Sequence, residues 1–495
     1  MTAFGRGGAR AVRRGMTAAR GQLVVAVGGR DRTRVVLLLA CVLALASADT
    51  ATVGAAALDL RRSLHISNTD IGLLVSVTAV VAAVFSLPFG VLADRGRRTW
   101  ILAFALLTWG AAMVRSATAT AFGDLLLARI GLGAVTASAG PIVASLVGDW
   151  FPAAERGRIY GYILTGELLG AGAGFAVTGD IAALSWRAAF IILALPAFAL
   201  AWLIFRLPEP VRGGQGALAA EPDARPRQRP RPASATQQPP APDPQVLARE
   251  MGIEPDLELA SRSHAKMTLM QALRYVLAVR TNVALIISSA LGYYFMSGVQ
   301  TFGNEFVSGQ YRVSQVVANL LLLVVGVGAV LGVLVAGPVS DALLRRGHLS
   351  ARLSVAMVAA AATVLLFIPA LITHSAVSAL PYVVFAAAAL TAQNPPIDAA
   401  RLDIMPPQMW GRAEGVRTFL RTAAQALAPV LFGVVSDDIF GGGTKGLKWT
   451  FVVMLAPLAA SAVFLYGARR LYPRDVATAA AASPPAPAPA PAPAS

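Results

Sequence analysis

Long apolar segments alternate with short charged turns over most of this chain. Twelve of them approach the roughly 20 residues with which a helix crosses a bilayer. We predict membrane helices at 35–58, 71–93, 99–117, 121–148, 159–183, 188–206, 282–304, 315–340, 351–373, 377–397, 414–436 and 447–467. The pattern therefore predicts an all-α membrane protein.

The second half of this pattern repeats the first. The turns after the fourth and tenth segments share residues at a constant offset of 254: Asp149, Pro152, Gly157 and Arg158 against Asp403, Pro406, Gly411 and Arg412. Internal repeats are common in secondary transporters. We therefore expect two pseudo-symmetric six-helix bundles, at 35–208 and 267–470.

The segments outside the bundles have biased compositions. We predict a disordered basic tail at 1–34, a disordered Pro- and Arg-rich linker at 209–266 and a disordered Pro- and Ala-rich tail at 471–495. A short amphipathic helix is expected at 267–279, on the membrane face before the seventh span.

Composition supports the membrane assignment. Only 14% of the residues are charged, against roughly a quarter in soluble domains. The net charge of +16 comes from arginines in the tails, the linker and alternate short loops, which is the positive-inside pattern and not a nucleic-acid footprint. We expect a monomer in the plasma membrane with both termini cytoplasmic.

One basic turn occurs twice. Its first copy contains Gly90, Asp94, Arg95, Gly96, Arg97 and Arg98, and its second contains Gly337, Asp341, Arg345 and Arg346. Each copy joins two apolar segments, so each is a tight hairpin at the membrane surface.

These residues resemble the loop 2–3 motif of the major facilitator superfamily. Leu126-x-x-Arg129-x-x-x-Gly133 is similar to its fourth-helix motif, and Glu155-Arg156-Gly157-Arg158 matches another common pattern. The resemblance covers about 35–470 and implies two bundles around a central cavity. It also implies that Asp94 docks near Gly411 to Glu414, that Asp341 docks near Gly157 to Tyr160, and that both contacts break when the carrier switches state. Arg156, Arg158, Asp403 and Arg412 are further gating candidates.

A narrower resemblance is to Spinster-like carriers, which include exporters of lysolipids and sphingoid lipids. The run from Leu126 to Gly157 and the ending Leu207-Pro-Glu-Pro-Val-Arg212 are similar to that group. Thr50 and Thr136 stand where the group has an arginine and a glutamate.

Charges inside the predicted spans are functional candidates, because a charge in hydrocarbon costs at least ~2.5–3.5 kcal/mol. Asp49 and Arg129 fall at a similar depth, so Arg129 could pair with Asp49 and be released when Asp49 is protonated. Glu167 and Arg421 are repeat equivalents, and Arg417 lies one turn before Arg421. They are candidates for a substrate clamp or a closing pair, with purely structural pairing, or snorkelling of Arg417, as the alternative.

Further polar candidates for the cavity are Gln393, Asn394, Tyr293, Tyr294 and Gln300. Asn394 precedes two prolines, which predicts a break in its helix. The two tyrosines fit an interfacial belt equally well. Asp398, Arg401 and Asp403 are expected to form gate salt bridges.

The sequence has no P-loop and no catalytic constellation, and its four histidines and single Cys41 indicate neither a metal site nor a disulfide framework. We therefore expect no enzyme and no cofactor. We predict a secondary carrier whose partners are protons and an amphipathic or anionic small molecule such as a lysolipid, since Arg129 and Arg421 face few acids. The alternatives are a multidrug or sugar/organic-acid carrier, or a membrane sensor or scaffold that binds without transport. Symport, antiport and uniport stay open.

Overall fold

The computed structural model describes residues 24, 27–56, 60, 63–66, 68–212, 243–261, 267–313 and 315–482. In this part of the chain the apolar segments form twelve long helices: α1 Arg30–Ala55, α2 Asn68–Arg95, α3 Arg98–Ala117, α4 Phe122–Trp150, α5 Arg156–Leu184, α6 Trp186–Phe205, α7 Arg280–Tyr311, α8 Gln315–Arg345, α9 Ala351–Ile372, α10 Ala376–Asp403, α11 Trp410–Val434 and α12 Gly443–Ala482. The predicted fold of twelve transmembrane helices in two six-helix bundles is confirmed.

Ten of these helices qualify as membrane spans by length and composition within the described residues. The other two are α1 and α5, which pack closely against each other in the first half. In the second half the corresponding partners are α7 and α11. The apolar faces that point away from these contacts stay exposed, as expected of helices that meet lipid.

Two of the helices are interrupted at equivalent places. α4 consists of Phe122–Thr136 and Ala139–Trp150, and α10 consists of Ala376–Ala392 and Asn394–Asp403. Prolines follow both interruptions, at Pro141 and at Pro395, and a proline removes a helical donor and clashes with the preceding turn. The predicted break before Pro395 is confirmed.

The two halves meet along α2 with α11 and along α5 with α8. Glycines permit this approach. A Cβ atom on Gly90 would lie 2.6 Å from the carbonyl oxygen of Gly411, and one on Gly337 would clash with the Gly157 carbonyl. The backbones of the two halves are therefore in direct contact at both crossings.

The chain outside the bundles is more ordered than predicted. α1 begins at Arg30 inside the predicted basic tail, and α12 continues to Ala482 inside the predicted C-terminal tail. The linker contains the helices Pro244–Glu250 and Leu257–Ala260, capped by the Asp243 and Asp256 carboxylates. The prediction of a linker disordered throughout is therefore wrong for this part. The parts of the tails and the linker that lie outside the described residues are 1–23, 25–26, 213–242, 262–266 and 483–495.

Contacts with α12 explain the order of the linker helices. The Asp256 backbone NH donates to Thr478 Oγ1 at 2.9 Å, and Arg249 donates to the Ala480 carbonyl at 2.6 Å. Ala248 is fully buried. The expected amphipathic helix is present at Leu269–Ala278, where Thr268 and Gln271 form a capping box.

Candidate functional site

A central cavity of about 260 Å³ lies between the two halves. Helices α1, α2, α4 and α5 line it from the first half, and α10 and α11 line it from the second. Its ionisable residues are Tyr160, Glu167, Asp398, Arg401, Glu414, Arg417 and Arg421. The lining residues of α1, α2 and α4 carry no ionisable group.

Four of these residues form a dense ionic cluster on the second half. Arg417 lies 2.7 Å from Asp398 Oδ1 and 3.1 Å from Glu414 Oε1, and its Nε donates to Ser289 Oγ at 3.1 Å. Arg401 pairs with Glu414 and lies 3.5 Å from Asp398. Every member is at least nine-tenths buried, so the charges are compensated inside the cluster as a low-dielectric site requires.

This cluster revises two predictions. Asp398 and Arg401, expected at a gate, line the cavity, and Arg417 is buried in the cluster instead of snorkelling to the surface. Sequence reasoning missed Glu414 as a site residue. Its position three residues before Arg417, on the same helix face, was the available signal.

Glu167 and Arg421 face the same cavity, but their charged groups do not form an ion pair with each other. Among the described residues, the Glu167 carboxylate makes no hydrogen bond and no ion pair within 4.0 Å. The Arg421 guanidinium carbon lies 4.5 Å from the centroid of the Tyr293 ring. The Nε atom of Arg421 has no hydrogen-bond partner among the described residues. These two side chains are therefore available to a ligand.

Asp49 and Arg129 form the predicted ion pair. Arg129 Nη1 donates to Asp49 Oδ1 at 2.7 Å, and both side chains are at most 3% exposed. Arg129 Nε also donates to Thr78 Oγ1 at 3.2 Å. Neither charged residue belongs to the cavity lining. The expectation that Arg129 and Arg421 face few acids is thus wrong, because Asp49 neutralises Arg129 and three acids line the cavity of Arg421.

The other polar candidates separate into different environments. Tyr294 donates to Met454 Sδ at 3.2 Å and packs on Phe432 in an aromatic core, so it is neither a cavity residue nor an interfacial one. Gln393 is buried at the break in α10, where it donates to the Leu390 carbonyl at 3.0 Å. Asn394 is buried beside it and Gln300 is exposed. None of these four lines the cavity.

At one end of the bundles, the loops that carry the predicted gating arginines form what we call the arginine-rich face. Here Asp94 accepts hydrogen bonds from the backbone NH groups of Gly411 and Arg412 at 2.7 and 3.0 Å. Asp341 accepts one from the backbone NH of Arg158 at 2.8 Å. Both predicted docking contacts are confirmed. Each carboxylate stabilises the positive end of a helix dipole in the opposite half, so this face is closed.

A buried arginine adds a second link at this face. Arg352 pairs with Asp403 and lies 3.6 Å from Asp341 in its own half, and it donates to the Ala153 carbonyl of the other half. Arg156, from the first half, lies 3.7 Å from Asp403. The sequence analysis did not select Arg352, although it follows Arg98 at the repeat offset of 254.

The remaining gating candidates have individual contacts. Arg95 donates to the Met267 carbonyl at 2.9 Å, Arg97 stacks on Trp100, and Arg412 Nε lies 3.3 Å from Asp94. Arg98 is buried in contacts with the first half and with the start of the linker, and it makes none with the second half among the described residues. A Cβ atom on Gly96 would meet the Ile101 side chain, and Arg345 and Arg346 are exposed.

Comparison with known proteins identifies the family. The model for the Major Facilitator Superfamily matches residues 38–399. A probable L-galactonate transporter of Escherichia coli is 30% identical over 190 residues, which cover 37% of this chain and 41% of that protein. Protein spinster of Drosophila melanogaster is 27% identical over 187 residues, covering 37% and 31%. The aligned part thus spans less than half the length of these relatives.

Solved structures support the same fold. A proton:xylose symporter superposes with a TM-score of 0.62 at 15% identity, over 88% of this chain and 95% of the other. The similarity to spinster agrees with the resemblance noted in the sequence. The chain is a multi-pass membrane protein, and it belongs to the major facilitator superfamily.

Proposed function

We propose that this chain is an alternating-access carrier that moves a small hydroxylated organic anion, such as a sugar acid, across the plasma membrane in symport with protons. The two halves rock about the central cavity as a monomer, and the arginine-rich face is the cytoplasmic face, with both termini on that side. The observation that carries the proposal is Arg421, an arginine that faces the cavity with no acid in ion-pair contact among the residues that the structure describes.

The chemistry of the lining supports an anionic, polar substrate. Arg401 and Arg417 are already paired with acids, so Arg421 is the guanidinium left to hold a carboxylate, for which its planar fork is well suited. Thr136, Thr418 and Thr422 supply hydroxyl groups for a polyol. A cavity of about 260 Å³ with seven ionisable side chains suits a small polar ligand and not the acyl chain of a lysolipid.

The relatives give independent support. The chain is similar to a protein named as a probable L-galactonate transporter, and to one named as a hexuronate transporter of Bacillus subtilis at 28% identity over 178 residues. Similarity over about two fifths of each relative does not carry the substrate across by itself. It agrees with the substrate class that the arginine and the hydroxyl groups of the cavity favour.

The test is exchange of labelled substrate in proteoliposomes. Galactonate, glucuronate, xylose, a zwitterionic amino acid and a lysolipid are compared as competitors. We expect the sugar acids to compete and xylose to fail. Arg421→Gln should weaken sugar-acid binding by at least about tenfold, because it removes a charge-assisted hydrogen-bond donor. Arg115→Gln is the matched control, since Arg115 lies in an exposed pair with Asp124, outside the cavity. Equal competition by xylose or lysolipid, or an unaffected Arg421→Gln variant, contradicts the proposal.

A further inference from the structure

The cavity has balanced charge. Its lining contains three arginines, Arg401, Arg417 and Arg421, and three carboxylates, Glu167, Asp398 and Glu414. Asp398 and Glu414 are held in the ionic cluster by Arg401 and Arg417. The negative charge that remains outside the cluster is that of Glu167, and the positive charge that remains is that of Arg421. With all carboxylates ionised, the lining has a net charge of zero.

Several groups interact electrostatically with Glu167. They are Arg421 and Arg417 on α11, Asp398 on α10 and Tyr293 on α7. Tyr160, on the same helix as Glu167, and Arg401 and Glu414 line the same cavity. The lining residues of α1, α2 and α4 add no charge. Arg421 is therefore the cation not already paired with another acid that favours the ionised form of Glu167.

Binding of an anion at Arg421 changes this balance. The anion's charge takes over the attraction of Arg421, and the cavity would carry a net charge of −1 in a setting where uncompensated charge is costly. An anion beside a carboxylate disfavours the ionised form of that carboxylate. Binding of one proton to a Glu167 carboxylate oxygen restores neutrality, and by linkage the protonated form binds the anion more tightly.

We propose that Glu167 is the coupling site of this carrier: it takes up one proton each time an organic monoanion binds Arg421, and both leave together on the other side. The inference rests on the function proposed above. It also fixes a stoichiometry of one proton per monoanion, so that the transport cycle moves no net charge.

Asp49 is the competing position for the proton. Its carboxylate is held by Arg129 at 2.7 Å, is 2% exposed and does not line the cavity. The Glu167 carboxylate already faces the cavity and has no described ion-pair partner, so a proton and a substrate can enter through the same space.

The experiment measures accumulation of labelled galactonate in proteoliposomes under an imposed pH gradient or an imposed potential. For the wild type, a gradient of one pH unit, acidic outside, should give about tenfold accumulation at one proton per anion. A potassium–valinomycin potential should have no effect. Glu167→Gln should keep galactonate exchange and lose accumulation driven by the pH gradient. It should now respond to an inside-positive potential, about tenfold for 59 mV, because the anion crosses alone.

The controls separate this inference from the proposed function. Asp124→Asn, in an exposed pair outside the cavity, should behave as the wild type. Glu167→Asp keeps a carboxylate and should keep the coupling, and exchange by each variant shows that it is folded. Absence of sugar-acid exchange in the wild type rejects the proposed function. Wild-type exchange with normal pH-driven accumulation by Glu167→Gln rejects the inference, and loss of that accumulation in Asp49→Asn alone assigns the proton to Asp49.

Discussion

Arg98 and Arg352 stand 254 residues apart at equivalent positions of the two halves, and both are fully buried. Each pairs with the acid at the end of a broken helix, Asp149 or Asp403. Arg98 makes its other contacts to Ser145 in the first half and to Glu209 and Pro210, which directly follow the first half at the start of the linker. Arg352 instead donates across to Ala153 of the other half. The same buried arginine thus stabilises one half internally and joins the two halves through the other.

The two docking carboxylates also differ between the halves. Asp94 receives two backbone NH groups and lies close to Arg412. Asp341 receives one backbone NH group, and its other oxygen has no hydrogen-bond partner among the described residues but lies 3.6 Å from Arg352. At the first hairpin, we infer that closure of the arginine-rich face depends on the Asp94 carboxylate that caps α11. At the second hairpin, we infer that it depends on the contacts of Arg352.

The largest effect that tests this difference is expected for Arg352→Ala. Removing one partner of a buried ion pair costs about 3–5 kcal/mol, because the remaining charges stay buried and unpaired. Arg352→Ala leaves Asp403 with Arg156 at 3.7 Å as its cation and Asp341 with the Arg158 backbone NH, and it removes the hydrogen bond to Ala153 of the other half, so we expect the arginine-rich face to open. The measurement is the distance between spin labels at the exposed positions Arg206 and Arg346, on a Cys41→Ala background.

Arg98→Ala is the matched variant. It should lower the thermal stability by a similar amount but leave the distribution of label distances unchanged, since the contacts of Arg98 do not cross between the halves. Where either alanine variant fails to fold, Arg352→Lys and Arg98→Lys keep the charge but lose the planar fork. Opening in the Arg98 variants, or a closed face in those of Arg352, would break the comparison.

The contacts of the hairpins were predictable from the sequence, and those of Arg352 were not. Asp94 and Asp341 were recognisable because their motif resembles that of the superfamily, and the resemblance implies docking on a helix of the opposite half, whose N-terminus stabilises a carboxylate. Arg352 lies at the start of an apolar segment, where an arginine reads as an ordinary positive-inside charge. Only the three-dimensional approach of Ala153 shows that it joins the halves.

The cavity was predictable in part. The pair of Asp49 with Arg129 and the shared cavity of Glu167 and Arg421 followed from depth along helices and from the repeat. The cluster of Asp398 with Arg401 and Glu414 did not, because the break in α10 re-aims the residues that follow it and sequence spacing alone does not give their direction. The order of the linker was also missed, since its helices depend on contacts with a distant segment, α12.

A smaller difference is expected between the two docking carboxylates. Asp94→Ala removes two charge-assisted hydrogen bonds and Asp341→Ala removes one, so Asp94→Ala should disfavour the closed face by more, the difference being that of one such bond, about 1.5–3 kcal/mol. The same label pair measures the open fraction for each variant. A larger open fraction for Asp341→Ala would show that Arg352 depends on Asp341 for its position.

The smallest expected effect concerns Glu209. This residue lies outside the membrane helices and forms an ion pair with Arg98. Burial opposes its ionisation, but hydrogen bonds from the Thr99 backbone NH and from Arg98 outweigh this and lower the pKa of Glu209. A lowered folded-state pKa gives stability that is present above the unfolded value of about 4.3 and is lost as the pH falls through the folded value. The difference in thermal stability between the wild type and Glu209→Gln should therefore narrow between about pH 6 and about pH 3. Because this network does not reach the second half, the distance between the two spin labels should be nearly the same in these two proteins at every pH. If the wild type opened with pH and Glu209→Gln did not, Arg98 would contribute, like Arg352, to closing the arginine-rich face.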